Sequence, residues 1–250
     1  MNRAARIGAL VLAFAAAASA AEPAKAPAKS VDAIVAEYVV ARGGLAKIRS
    51  VQTLRQTGRA YGEGGRQAAV RRELKRPGKV RFEFTVQGVT GVYVTNGGRG
   101  WMVSPFDGEM DAKPLPDEAV ADAVEQADFE GPLVDWKKKG HKLEYAGRET
   151  IDGREADRLK LTLASGVVRY ESIDVKTHFL LRTETTRKLS DRDVRVQATF
   201  GDHKKTNGIL FPRRVEIGAA DRPQRLRILV DAIEVNPPIS DARFDRLAGK

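Results

Sequence analysis

From about residue 52 to about residue 235 the chain repeats one pattern: short runs of alternating apolar and polar residues, separated by turn dipeptides. Val80, Phe82, Phe84 and Val86 alternate with Arg81, Glu83 and Thr85. Leu159, Leu161 and Leu163 alternate with Arg158, Lys160 and Thr162, and Val194, Val196, Ala198 and Phe200 alternate with Arg195, Gln197 and Thr199. Side chains on a strand point to opposite faces with period two, so each run has one apolar and one polar face. That is the signature of antiparallel pairing with one side wet. Asn96-Gly97, Asp152-Gly153, Ser165-Gly166 and Asn207-Gly208 supply the turns.

The runs predict about eleven strands, over 52–60, 68–76, 79–87, 90–95, 99–104, 142–151, 154–164, 167–175, 178–188, 193–202 and 209–235, with two in the last region. Sequential hairpins of this number make a sheet that must curl. Two regions depart from the pattern. Before the strands, Ser30 can cap a helix whose apolar positions Val31, Ile34, Val35, Tyr38 and Val39 recur at helical spacing; Gly43-Gly44 ends it, and Leu45–Arg49 fits one more turn. Mid-chain, residues 105–116 are loop-like and Asp117 to Ala127 reads as a helix. A second short helix is expected after Gly131-Pro132, with Leu133, Val134 and Trp136 apolar and three lysines at its end. The expected class is therefore mainly β with α: a curved antiparallel sheet with short helices available to cover its apolar face.

The N-terminus carries a different signal. Arg3 and Arg6 precede an apolar run from Ile7 to Ala18, followed by Ala18-Ser19-Ala20. This is the pattern of a secretory signal peptide over residues 1–20, cleaved after Ala20, and not of a membrane span. Residues 21–29, rich in Ala, Pro and Lys, fit a flexible leader, which leaves residues 30–250 as a single domain. Export into a periplasm follows. The chain has no cysteine, so disulfides, thiol nucleophiles, thiolate metal sites and lipid attachment at a cysteine are all excluded. Removing Arg3 and Arg6 from the 43 basic residues leaves 41 against 33 acidic ones, a surplus of 8. The surplus suits anionic partners, and export makes nucleic acid the least fitting of them.

No catalytic or cofactor constellation is visible. The three histidines, His141, His178 and His203, lie far apart without metal-ligand spacing, and no G-x-S-x-G, H-E-x-x-H or phosphate loop occurs. Neither a metal, a cofactor nor an enzymatic activity is expected.

Two segments do resemble a known family. Leu74–Phe84 (LKRPGKVRFEF) and Val92–Phe106 (VYVTNGGRGWMVSPF) are similar to the strand, Lys-Arg-Pro, strand and the Asn-Gly turn, Trp strand of the LolA/LolB lipoprotein carriers of the outer membrane. Ala127–Glu144 with Leu45–Arg59 looks like a divergent, lipoprotein-sorting-like branch. The resemblance implies a LolA-like half-open antiparallel β-barrel whose concave face holds acyl chains beneath a helical lid. It implies a periplasmic carrier of lipoprotein acyl chains or free lipids, with an inner-membrane donor complex or transporter and an outer-membrane acceptor as partners. A lipid-binding regulatory sensor of the same fold, contacting a membrane signalling protein, is the alternative. In the family, the Arg of Lys-Arg-Pro bonds to the lid, which assigns a latch to Arg76. Arg76 shares parity with Val70, Arg72 and Leu74, and Arg213 shares it with Val215 and Ile217. Candidate lining residues are Phe82, Phe84, Trp101, Val103, Leu133, Trp136, Leu159, Leu161 and Phe200. Alternation alone fits a filled core as well as an open cavity, because any half-buried sheet shows it.

Overall fold

The computed structural model describes residues 29–189 and 192–246. The expected signal peptide, and residues 21–28 of the expected leader, lie outside the described residues. Helix α1 (Val31–Ala41) starts at Ser30, whose hydroxyl accepts from the Ala33 amide at 3.2 Å. A short α2 (Leu45–Arg49) follows.

Six strands then run as successive hairpins: β1 (Thr53–Tyr61), β2 (Gln67–Lys75), β3 (Lys79–Val86), β4 (Val89–Asn96), β5 (Arg99–Ser104) and β6 (Glu109–Pro114). Helix α3 (Asp117–Gln126) and a series of turns over 132–140 lead to β7 (Lys142–Ile151). From there β8 (Arg154–Thr162), β9 (Val168–Asp174), β10 (Leu180–Leu189) and β11 (Arg192–Gly201) continue the meander. A separate hairpin of β12 (Lys204–Thr206) and β13 (Ile209–Phe211) precedes β14 (Arg214–Ala219) and β15 (Leu226–Val235).

Thirteen strands form one sheet in the order β6-β5-β4-β3-β2-β1-β15-β14-β11-β10-β9-β8-β7. The count exceeds the expected eleven for two reasons. The segment read as a loop over 105–116 contains β6, and the 209–235 region supplies both β14 and β15, while β13 pairs with β12 outside this sheet. One expected element is absent. Residues 132–140 form turns and not a helix, and Asp135 sits at φ +52°, a left-handed conformation that breaks helical continuity.

The topology explains the shape. The chain walks outward from β1 to the β6 edge, crosses to the opposite edge at β7, and walks back until β15 pairs with β1. The crossover, α3 with the turns after it, must therefore pass over one face of the sheet. Helix α3 packs on β3, β4 and β5, yet its carboxylates pair with Arg169 of β9 and Arg187 of β10. In the sheet order six strand spacings separate β3 from β10, about 29 Å if the sheet were flat. A helix about 10 Å wide can touch both only if the sheet curls into a trough. A bulge between Thr57 and Gly58 marks the centre of the curl. Gly58 is required there, because a Cβ would lie 2.1 Å from the Leu229 carbonyl oxygen.

The convex face is fastened separately. The segment after β15 folds back across β3 and β4, burying Ile239 and Phe244 against Val94. Beneath it Glu73 is 1% exposed and accepts from Arg55 at 2.9 Å and Arg243 at 2.9 Å, with Arg71 at 2.9 Å alongside. Burial pushes the Glu73 carboxyl up, but bonds from Arg55 and Arg243 and the charges of Arg243 and Arg71 outweigh it and hold it below the ordinary range.

Candidate functional site

Strand pairing fixes which side chains share the concave face. Leu74 opposes Val80 and Val80 opposes Thr95; Arg72 opposes Phe82, and Phe82 opposes Tyr93; Val70 opposes Phe84, and Phe84 opposes Gly91. At the far wall Leu161 opposes Leu143 and Arg169, while Leu159 opposes Tyr145 and Glu171. Between them Phe200 opposes Val215, which opposes Ile228.

This face divides into zones of different burial. Against β7 to β9, α1 seals a core in which Leu133, Leu159 and Leu161 are at most 1% exposed, packed with Ile34, Val35, Tyr38 and Leu143. Trp136 packs at its edge. Four of the expected lining residues thus belong to a filled wall under α1. The β3–β4 wall is different. Phe82 stacks on Tyr93 at 5.2 Å, Phe84 stacks on Phe106 at 5.3 Å, and the Phe84 ring lies over Gly91, where a Cβ would fall 2.4 Å from the ring. Phe82, Phe84 and Tyr93 stay half-buried, while Phe106 at 43% and Met102 at 36% are exposed. Phe200, Ala198 and Val196 of β11, Val215 and Ile217 of β14, and Ile228 and Val230 of β15 are half-buried as well.

Two expected lining residues lie on the other side of the sheet. Trp101 opposes Val94 and Val103 opposes Val92, on the face opposite to Phe82 and Tyr93. Trp101 packs against the Val94, Ile239 and Phe244 cluster. The correction has a physical cause: the C-terminal segment covers the convex face here, so apolar residues are favourable on that side too. The residue of β5 on the trough side is Met102.

The roof is held by charge. Arg187 bonds Asp122 at 2.7 Å and approaches Glu118 at 3.7 Å; Arg169 pairs with Glu125 and lies 3.7 Å from Glu171. Burial pushes the Glu171 carboxyl up to about 7, with the Arg169 charge opposing and the Glu125 charge adding to the rise. The exit from α3 is a joint of two arginines. Arg42 donates to the carbonyls of Glu130 at 2.5 Å and Phe129 at 2.8 Å. Arg76 donates to the Val51 carbonyl at 2.7 Å and to both Glu130 carboxylate oxygens at 3.1 and 3.3 Å, with its guanidinium 5.0 Å from the Phe129 ring centroid.

Arg72, Arg169 and Glu171 belong to this face although the candidate lining set omitted them. Their signal is visible in hindsight: each is a charged residue on the apolar parity of its strand, between Val70 and Leu74 or between Val167 and Ile173. Arg213 donates to the Asp231 carbonyl at 3.1 Å and Thr206 at 3.2 Å, so it staples β15 to β12. His141 Nδ1 accepts from the Ala164 amide and His203 packs on the Phe179 ring. Among the described residues no group of three or more His, Asp or Glu is placed to hold a metal ion.

A curled antiparallel sheet, open along one side and roofed by a crossover helix, is the class this geometry defines: a half-open β-barrel. Its fold is LolA-like. A putative outer-membrane lipoprotein-sorting protein domain from Vibrio parahaemolyticus superposes with TM-score 0.59 at 11% identity, covering 86% of this chain and 97% of that one. A DUF1329 family protein from Desulfovibrio piger gives 0.57 at 16% identity, with 86% and 97% covered. A LolA superfamily protein from Nitrosomonas europaea gives 0.55 at 12% identity, with 88% and 99% covered. The sequence itself matches no protein-family profile and no curated protein.

Proposed function

We propose that the protein is a periplasmic carrier that binds the acyl chains of lipids or lipoproteins in the trough between α3 and the sheet. The observation that carries this reading is the contrast in burial on one face. The wall under α1 is sealed, whereas the row from Phe82 and Phe84 across to Ile228, Val215 and Phe200 is apolar yet only half-buried. Soluble chains rarely leave so continuous an apolar stretch uncovered unless it meets a ligand or partner.

The energetics fit carriage. Each acyl methylene withdrawn from water contributes about 0.8 kcal/mol, without any directional bond to break on release. The roof is attached chiefly by ion pairs to Arg76, Arg169 and Arg187, with Arg72 bonding Gln126, groups that water can solvate when the roof lifts. In this reading Arg76 is the latch: its bonds to Glu130 hold the crossover against the rim of β2 while the trough is empty. Leu133, Trp136, Leu159 and Leu161 then form the fixed wall, while Phe82, Phe84 and Phe200 line the space. Binding and release to membrane-bound donors and acceptors would need no covalent chemistry in the carrier.

The test is mass spectrometry of organic extracts from the chain beginning at Ala21, purified without detergent from a periplasmic fraction. Stoichiometric lipid or lipopeptide, reduced at least about tenfold by Phe84→Glu, supports the carrier. Lipid-free protein that also fails to bind a fluorescent fatty acid overturns it.

A further inference from the structure

Four carboxylates of α3 and its exit loop are taken by arginines of the sheet and its rim other than Arg72, and Asp128 is taken by Lys139. Asp122 and Glu118 meet Arg187, Glu125 meets Arg169, and Glu130 meets Arg76. Arg72 stands in the middle of the same face, opposite Phe82 on one side and Gln56 on the other. Its acceptors are all neutral: the Gln126 carbonyl at 3.1 Å, the Gln126 side chain at 3.3 Å and the Gln56 side chain at 3.5 Å. Its Nε–H is shielded from solvent and has no acceptor at all. No described carboxylate forms an ion pair with it.

A guanidinium in such a place is unfavourable as it stands. Charge withdrawn from water must be paired, and neutral acceptors replace only part of the lost hydration. Burial also pushes the Arg72 guanidinium below its ordinary pKa, against a small opposing effect of Tyr93. Hydrophobic neighbours of similar size would suit the apolar row better, so the charge itself calls for an anionic oxygen pair. Arginine presents a planar fork that matches a carboxylate or phosphate group with two parallel bonds.

We propose that Arg72 is the headgroup site of the trough, pairing with the carboxylate or phosphate oxygens of an anionic amphiphile whose acyl chain lies along Phe82, Phe84 and Phe106. The inference rests on the carrier reading and narrows it to a class of cargo. The aromatic row begins directly at Arg72 through its pairing with Phe82, and continues to the exposed Phe106 and Met102. A chain entering from that open end would bring its polar head against the guanidinium. Arg213 is fastened differently: its terminal nitrogens donate to the Val230 and Asp231 carbonyls and to Thr206, away from the Phe82–Phe84 row, although its Nε–H, like that of Arg72, has no acceptor.

The experiment uses the delipidated chain beginning at Ala21 at about pH 8, with bound 1-aminoanthracene as a neutral fluorescent reporter. Laurate, methyl laurate and inorganic phosphate are titrated as displacers. Laurate is expected to bind at least about tenfold more tightly than its uncharged ester, and phosphate without a chain is expected not to displace the reporter. Arg72→Gln is expected to bind laurate and the ester within about twofold of one another, at the wild-type affinity for the ester. Arg72→Lys, which keeps the charge and guards against a misfolded glutamine variant, is expected to retain at least about a threefold preference. Equal binding of acid and ester by the wild type, or a preference that survives in Arg72→Gln, overturns the headgroup site and leaves the carrier reading standing. Displacement by phosphate alone overturns the amphiphile in favour of a free anion. Failure of both laurate and its ester to bind overturns the carrier reading, and the headgroup site with it.

Discussion

Arg76, at the rim of β2, grips both carboxylate oxygens of Glu130 at 3.1 and 3.3 Å while its guanidinium covers the ring of Phe129. The two residues are 54 positions apart and belong to opposite halves of the crossing: one to the sheet, the other to the chain leaving α3. A bidentate arginine–carboxylate pair of this kind is geometrically demanding as well as favourable. The contact ties the chain leaving α3 to the rim of β2, beside the bonds that Arg42 makes to the same loop.

Arg76→Ala removes three hydrogen bonds, including that to the Val51 carbonyl, and the contact with Phe129. Denaturant unfolding should show a loss of about 1–3 kcal/mol. A double-mutant cycle with Glu130→Gln should return a coupling of about 0.5–2 kcal/mol. Coupling indistinguishable from zero would mean the pair does not hold the crossover. If Arg76 is the latch, the alanine variant should also bind 1-aminoanthracene faster than the wild type.

Glu171 gives the trough a pH signature. Its carboxyl takes up a proton at about 7 in the folded chain against an ordinary 4.5, so between these values the folded state holds more protons than the unfolded one. Stability from this group is complete below about pH 4.5, falls as the pH climbs toward 7, and is level beyond. Glu73 and Asp174, whose carboxyls are held below the ordinary range, act in the opposite sense and at lower pH. His141 and His203, both pushed below 6.5 by burial, add stability as pH rises through the same interval. Comparison with Glu171→Gln isolates the one group. The variant's advantage in unfolding free energy should grow from about pH 5 to about pH 8; a constant difference would refute the assignment.

Leu161 and Phe84 look alike in the sequence and should behave differently. Leu161→Glu places an unpaired carboxylate in the sealed wall under α1, at a side chain with 0% exposure, and should cost about 4 kcal/mol or more. Phe84→Glu lies on the half-buried row, where water can reach the new charge, and should cost no more than about 2 kcal/mol. Circular dichroism melts of the two variants measure this directly. Equal destabilisation would mean the Phe84 row is filled core.

The convex face predicts the reverse pattern. Phe244→Ala empties a fully buried site against Val94 and should lose about 3–5 kcal/mol. In a Trp136→Phe background, Trp101 emission should shift to the red as its cover loosens. Trp101→Phe should leave acyl binding within about twofold of wild type, since this ring is not on the trough side.

What the alternation could and could not reveal follows from these residues. Period two locates strands well: the runs around Phe82, Leu159 and Val196 all fall in the predicted places. It marks parity within a strand, but not which parity faces the trough when both sides are covered. Trp101 and Val103 look like lining because the segment that buries Trp101, with Ile239 and Phe244, returns from far along the chain. Nor does alternation distinguish a sealed wall from an open one; that depends on where α1 lands, which places Leu159 and Leu161 in packed core. Strand β6 was hidden because Met110 and Ala112 give too weak an apolar alternation between Pro105 and Pro114. Arg72, Arg169 and Glu171 were visible as charges on apolar parity, a combination that reports inward polar groups more reliably than any apolar run reports a ligand.

The most direct measurement is isothermal titration of the delipidated chain beginning at Ala21 with a long-chain acyl amphiphile, for the wild type and for Phe84→Glu, at several temperatures. The carrier account predicts saturable binding with a negative heat-capacity change, as apolar surface leaves water, and a loss of at least about tenfold in affinity for the folded variant. No saturable heat with the wild type, or equal affinity in Phe84→Glu, would show that acyl chains do not occupy this trough.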